Sequence, residues 1–477
     1  MSQSFAAPAA LSQQITSQSS ADCAVACSPV YTDLLPLHVA DPQRYPHLLE
    51  SVAHDTPQAR FDILFAFPGP TLTLEPQRMV SLDGSTLGRE SFLDQFDAQW
   101  KLERRAARPN DELPFHGGWF VYLGYELAAE IEPCLALPAC TAGLPTAFAT
   151  RFPAAVIRDH RQQQCWIVAE RGEEHLIEPI VRDLQINSGI VAGGVAPADL
   201  SVIEDDGQQF IDGVRRIKRY IRDGDVFQVN LSRAWQVAGR HNITAAALYH
   251  RLRTANPAPF GGLATLGGTA IISSSPERLV QVAGKTVKTR PIAGTRPRGV
   301  DNADDVRLSQ TLLAHPKERA EHIMLIDLER NDLGRICKPG SVKVDELMVL
   351  ESYAHVHHIV SNVTGTLKED TTPGQVIRAV FPGGTITGCP KVHCMEIIAE
   401  LEQTGRGPYT GSIGYINRDG SMDLNILIRT IVKESGKLTL RAGAGIVADS
   451  IPEKELEETR AKARGLLLAI GDESGCS

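Results

Sequence analysis

Between residues 30 and 190 the apolar positions come in short runs broken by Pro and Gly, as at 60–67, 118–122 and 165–169, which predicts brief strands. Residues 186–200, poor in long side chains, read as a linker. The period then changes. Phe210, Val214, Ile217 and Ile221 fall at helical spacing and predict a helix over 208–222. Further on, 270–274, 279–282 and 285–289 read as consecutive antiparallel strands turning at Ala283 and Gly284. Alternation returns over 422–432 and 437–442, and helices are expected at 316–328, 391–402 and 452–469. Strands and helices mix without a strict βαβ rhythm, so the expected class is α+β, with sheets flanked by helices, and no internal repeat is present.

Composition adds exclusions. With 477 residues, 43% hydrophobic and 22% charged, the chain is ordinary globular material that needs no staple. A formal net charge of -9 argues against nucleic acid or an anionic membrane as the main partner. The nine cysteines include no C-x-x-C, so they read as reduced thiols. Residues 1–28, rich in Ser, Ala and Gln, read as a disordered tail without signal-peptide character, and 467–477 as a second tail. No run approaches a membrane span, so the expected compartment is cytoplasmic.

Two pairs of acids carry the first chemical signal. Glu318 and Glu321 lie three apart on a predicted helix whose other face would carry Ala320, Ile323, Met324 and Leu328. Glu455 and Glu458 repeat that spacing on a helix that Ser450, Pro452 and Glu453 would start as a cap, first-turn proline and capping box. Each pair projects two carboxylates to one side. Solvated surface acids are the ordinary meaning of such pairs. Facing helices would need a hard cation between them, and Mg²⁺ suits one or two carboxylates, waters and a charged substrate.

Two glycine-dense turns follow, at 381–391 and 441–445. Such turns expose backbone N–H groups to anions, although the first lacks the P-loop pattern. Arg429 on an apolar stretch and Lys462 one turn beyond Glu458 make an anion site the better reading. His358, in Val-His-His-Ile-Val, is a satisfied core histidine by default, or a proton carrier near neutral pH.

Together these segments resemble the chorismate-utilising family: the aminodeoxychorismate, anthranilate, isochorismate and salicylate synthases. The resemblance rests on residues 274–278 (Ser-Ser-Pro-Glu-Arg), 291–295 (Pro-Ile-Ala-Gly-Thr), 326–334, the 381–391 turn and 455–459. It covers nearly the whole chain, with an N-terminal region over 29–190 and a chorismate-binding catalytic region over 204–466. It implies two large, mainly antiparallel β-sheets flanked by helices. It also implies Mg²⁺ held by Glu321 and Glu458, with Glu318 and Glu455 holding its waters and Glu455 counted with the metal set. Gly443 and Gly445 would receive a substrate carboxylate near Tyr409, Arg429 and Lys462. Gly294 and Thr385 would line the substrate, with His358 near the departing hydroxyl.

The family branch that adds water carries a lysine base where this chain has Gln228, in Phe-Gln-Val-Asn-Leu. Glutamine cannot deprotonate water, so the resemblance implies ammonia as nucleophile. The motifs at 60–63, 228–230, 256–260, 382–388 and 411–415 resemble aminodeoxychorismate synthase. Ala293 stands where many of those enzymes have a lysine, and is the anthranilate-like form. Both aminating reactions stay open, with amination at C4 preferred and no covalent mechanism assigned. Residues 48–51 (Leu-Leu-Glu-Ser) resemble a tryptophan-binding motif, so Leu49, Ser51 and Pro259 mark either a tryptophan pocket or a structural one. Neither a glutaminase elbow nor an appended lyase is visible, so the resemblance implies a separate glutamine amidotransferase subunit that supplies ammonia. A non-catalytic chain that binds chorismate or tryptophan is the remaining class. Loss of magnesium-dependent turnover on changing Glu321 would exclude it.

Overall fold

The computed structural model describes residues 17–19, 23–28, 30–53, 59–106, 112–140, 142–187, 201–238, 243–298, 305, 307–308, 316–352, 356–434 and 436–471. Two large sheets carry the fold, with 13 strands in one and 12 in the other. Among the described residues the strand pairings in both are antiparallel, for example Gln228–Ala238 with Lys437–Ile446 and Gly118–Leu123 with Ser412–Asn417. The α+β expectation, with helices flanking the sheets, holds.

Strand alternation explains the layers. In Ala154–Asp159 of the first sheet, Ala154 and Val156 face helices, whereas Ala155 and Ile157 face the second sheet. The helices on that outer face are Leu35–Ala40, Ile177–Asn187, Ala245–Ala255 and Pro452–Ile470. Phe92–Glu103, Pro316–Ile336 and Pro373–Val380 cover the outer face of the second sheet. Between the sheets lies an aromatic core in which Phe120 packs against Phe65 at 5.4 Å and Phe148 at 6.1 Å. Among the described residues no helix is long and apolar enough to cross a membrane.

The helix expected at 208–222 is observed as Gly207–Asp223, with the Asp206 side chain accepting from Gln208 N and Gly224 closing it in the left-handed region. Other expectations need correction. Cys23–Ser28 is not tail: it pairs with Gln164–Glu170, and its small side chains Cys23 and Ala26 are buried. The C-terminal helix runs on through Ile470, so 467–470 are not tail either. The linker expected at 186–200 begins inside Ile177–Asn187, and 188–200 lie outside the described residues. Ser450 does not cap its helix. The cap position is Ile451, and the Ser450 hydroxyl instead accepts from Val447 N at 3.1 Å.

The largest correction concerns connectivity. Thr269–Ser275 and Arg278–Ala283 are not a hairpin, because the first lies in sheet one and the second in sheet two. Likewise 422–432 is two strands, Met422–Asn425 in sheet two and Thr430–Glu434 in sheet one. The chain thus crosses between sheets at Pro276–Glu277 and again over 426–429, and Ile426 N donates to Glu277 O at 3.0 Å, tying the crossings together. Both sheets also mix strands from 29–190 and 204–466, so these regions are interleaved.

Candidate active site

The floor of the site is the pairing of Gln228–Ala238 with Lys437–Ile446, which sets Asn230 opposite Gly445 and Ser232 opposite Gly443. The glycines are there because nothing larger fits. A Cβ at 445 would lie 2.5 Å from Gln228 Nε2 and 3.7 Å from Glu321 Oε1. A Cβ at 443 would lie 2.6 Å from Leu231 O, 2.8 Å from the Tyr409 hydroxyl and 3.0 Å from Asn230 Oδ1. Lys462 Nζ donates to Gly443 O at 3.0 Å and pairs with Glu458 Oε1 at 2.6 Å. Glu321 thus lies beside Gly445, and Glu458, on a distant helix, is tied through Lys462 to Gly443.

Polar groups without partners mark this surface. Gln228 Oε1 and Asn230 Oδ1 are buried and unbonded. Arg429 has φ 53°, a left-handed conformation unusual for arginine. Its guanidinium makes no hydrogen bond or ion pair among the described residues. Burial lowers its pKa, and its nearest electrostatic partners are Tyr409 and Glu458. A desolvated cation near the Tyr409 hydroxyl suits an anion.

A second group of side chains adjoins the first. Glu277 is 5% exposed, and burial pushes its carboxyl up to about 7. The Thr385 hydroxyl, the Ile292 N–H and the Lys462 ammonium flank it and favour the charged form. Among the described residues neither Thr385 Oγ1 nor Glu277 Oε1 makes a well-formed hydrogen bond. His358 lies opposite Thr295, and the bulge between Ala293 and Thr295 puts Gly294 at φ 68°. Burial, with the Arg429 charge, lowers His358 to about 4, opposed by its bond to the Gly294 backbone. At neutral pH this imidazole is uncharged and a weak base, so it can take part in hydrogen bonds but has no acidic proton to give to a leaving group. Glu277 fits the donor role better. Sequence reasoning passed over it, because a single Glu in a Ser-Pro turn gives no sign of burial.

A buried ion pair holds these parts in place. Arg406 and Glu402 have side chains 1% exposed and pair at 2.6 Å. Arg406 also donates to Asn230 O at 2.8 Å and Ile386 O at 3.2 Å, and its guanidinium lies 5.5 Å from the Tyr409 ring. Removing Arg406 leaves Glu402 with Arg441 alone, at 2.8 Å, as its cationic partner. Arg406→Ala is expected to lower unfolding free energy by about 2–4 kcal/mol. Urea denaturation checks this, and a loss below about 1 kcal/mol would refute the bolt.

The magnesium expectation can be tested on the donor set. Among the described residues no group of three His, Cys, Asp or Glu side chains could by itself hold a metal, so Glu321, Glu455 and Glu458 are not a ready cage. Glu318 and Glu455 are half-buried, each three residues before Glu321 and Glu458 respectively. Two carboxylates beside an anion-receiving surface still fit Mg²⁺, which keeps waters and takes a substrate oxygen. Leu49, Ser51 and Pro259 come together elsewhere, lining a cavity of about 720 Å³ with Arg60, Arg278 and Asn425. There the Ser51 hydroxyl donates to Pro259 O at 3.1 Å.

Known proteins resemble this chain over most of its length. A family model described as chorismate binding enzyme matches residues 50–468. An "anthranilate synthase component I-like protein" of Synechocystis is 45% identical over 360 residues, 76% of this chain and 74% of the relative. The aminodeoxychorismate synthase component 1 of Bacillus subtilis is 41% identical over 379 residues, 76% and 78% of the two chains. The crystal structure of anthranilate synthase component I from Streptococcus pneumoniae superposes with a TM-score of 0.76 at 32% identity, covering 86% of this chain and 93% of that one. The chain belongs to the family of chorismate-binding enzymes, of the anthranilate and aminodeoxychorismate synthase type.

Proposed function

We propose that this chain is a cytoplasmic, magnesium-dependent aminodeoxychorismate synthase component I. It would replace the C4 hydroxyl of chorismate by an amine, with loss of water, on the way to 4-aminobenzoate and folate. The observation that carries amination is Gln228. Its amide lies against Gly445 beside Glu321, where a hydrating enzyme would need a base, and an amide cannot activate water. Ammonia needs no such base. A glutamine amidotransferase subunit would supply it.

In this reading one substrate carboxylate lies on the Gly443–Gly445 backbone, facing Arg429, Lys462 and Tyr409. Glu321 and Glu458 would hold Mg²⁺, which supplies Lewis-acid withdrawal of charge from the dicarboxylate. Glu277 protonates the departing hydroxyl, Thr385 and Gly294 orient the ring, and neutral His358 offers a hydrogen bond. Glu318 and Glu455 would order waters around the metal.

Amination at C2, as in anthranilate synthase, is the second reading. It is favoured by Ala293 and by the name of the Synechocystis relative. The 720 Å³ cavity would then suit tryptophan as a feedback ligand. The test is incubation of pure chain with chorismate, Mg²⁺ and ammonium. A product that added aminodeoxychorismate lyase turns into 4-aminobenzoate supports the first reading, and fluorescent anthranilate supports the second. Unchanged chorismate overturns both, and turnover with glutamine alone refutes the need for a partner.

A further inference from the structure

The helix Pro316–Ile336, which carries Glu318 and Glu321, packs on the strands Lys343–Ser352 and Val356–Thr366 of the second sheet. Leu325, Ile326, Leu333 and Ile336 form the apolar part of its buried stripe. Apolar burial resists separation but has no direction, so it does not by itself fix the roll of the helix. His322 adds a directional contact. It is fully buried directly after Glu321, and its Nε2 shares a hydrogen bond of 2.6 Å with Ser361 Oγ, also fully buried. Among the described residues its other ring nitrogen, Nδ1, makes no hydrogen bond, so the polar attachment of the ring runs through Ser361.

Ser361 is placed by an irregularity in the sheet. Glu346 pairs with Asn362 and Val349 with Val360, so Leu347 and Met348 together face Ser361 alone. Met348 takes φ 51°, and its N–H donates to Ser361 Oγ at 2.8 Å. On the other side the Ser361 N–H donates to Pro291 O at 3.3 Å, just before the strand Ile292–Pro297 that holds the Gly294 bulge. One serine thus ties the helix of Glu321 to two irregular strands.

This attachment matters for the neighbouring carboxylate. Glu321 projects about 100° around the helix from His322, and a roll of about 10° would carry a group at the helix rim by roughly 1 Å. That is about half of a Mg²⁺–oxygen bond, in a shell that demands near-ideal geometry.

We propose that His322 and Ser361 are positioning residues for the metal carboxylate: their bond at the bulge fixes the roll of the helix and so where Glu321 stands beside Gly445. This rests on the reading of Glu321 as a Mg²⁺ ligand.

The test is the Mn²⁺ affinity of the pure chain with chorismate present, read by electron paramagnetic resonance, beside the Mg²⁺ concentration that gives half-maximal chorismate consumption with ammonium. Ser361→Ala and His322→Leu are each expected to raise both constants by about tenfold. The double variant should go no further, since both changes remove the same bond. His322→Gln, whose amide reaches about as far as Nε2, should stay close to the parent. Single variants with unchanged constants overturn the proposal whatever their rates, because a loosened fold lowers the amount of active enzyme and not its need for metal. A double variant that multiplies the two losses also overturns it. If Ser361→Ala does not fold, His322→Leu against His322→Gln decides, and equal Mn²⁺ affinities in that pair overturn the proposal. Glu321→Gln binding Mn²⁺ as tightly as the parent refutes the metal reading, and the proposal with it.

Discussion

Glu458→Gln is expected to reduce magnesium-dependent loss of chorismate by about 10³-fold, with no recovery at high Mg²⁺. The reason is charge. The amide keeps the size of the side chain but removes one of the two carboxylates proposed to hold Mg²⁺, Glu321 beside Gly445 and Glu458 on the lysine that donates to Gly443. Lewis-acid stabilisation is worth several kcal/mol, and about 4 kcal/mol is a thousandfold in rate. Glu458 also pairs with Lys462 on a half-exposed surface, where an ion pair adds little to stability, so the fold should survive. Glu321→Gln, which leaves that pair intact, should lose activity to a similar degree. Either variant working within tenfold of the parent would sink the metal assignment, and circular dichroism guards against misfolding.

Glu277→Gln is expected to lower kcat by about 10²–10⁴-fold while leaving KM for chorismate close to the parent value. In the proposed reaction the carboxyl would give its proton only as the bond breaks, so the cost would fall on the transition state. Its pKa near 7 sets the sign of the pH dependence. The donor form is present below that value and is lost as pH rises through it, so the parent rate carries an alkaline limb. The glutamine variant should have no such limb. A variant with a lowered rate but the same limb would exclude Glu277 as the acid and return attention to His358.

What could be read from residue order alone follows from what each signal encodes. One-sided apolar periodicity marked Gly207–Asp223 and Lys391–Glu402 nearly to their ends. The same logic failed on Pro316–Ile336, where Ile323 is 51% exposed while His322, Glu329 and Asp332 are buried. Those polar groups are enclosed because Ser361, Thr289 and Lys391 arrive from elsewhere, and periodicity carries no record of such partners. Alternation over 422–432 hid a change of sheet, since strands in either sheet alternate alike. The resemblance named Gln228, Arg429 and Lys462 at one surface, and the structure brings Gln228 to Gly445 and Lys462 to Gly443. It gave no hint that His358 would be neutral or that Glu277 would be the better acid, because both depend on desolvation.

The paired crossings between the sheets have a mechanical consequence. Glu277 and Arg429 ride on neighbouring seams, laced together by the Ile426 N–H to Glu277 O bond, so each is fastened to both slabs of the sandwich at once. A sliding of one slab over the other would pull on both short crossings at once. The interlocked rings of Phe65, Phe120 and Phe148 resist that shear, and thereby set how finely the two reactive groups are held apart.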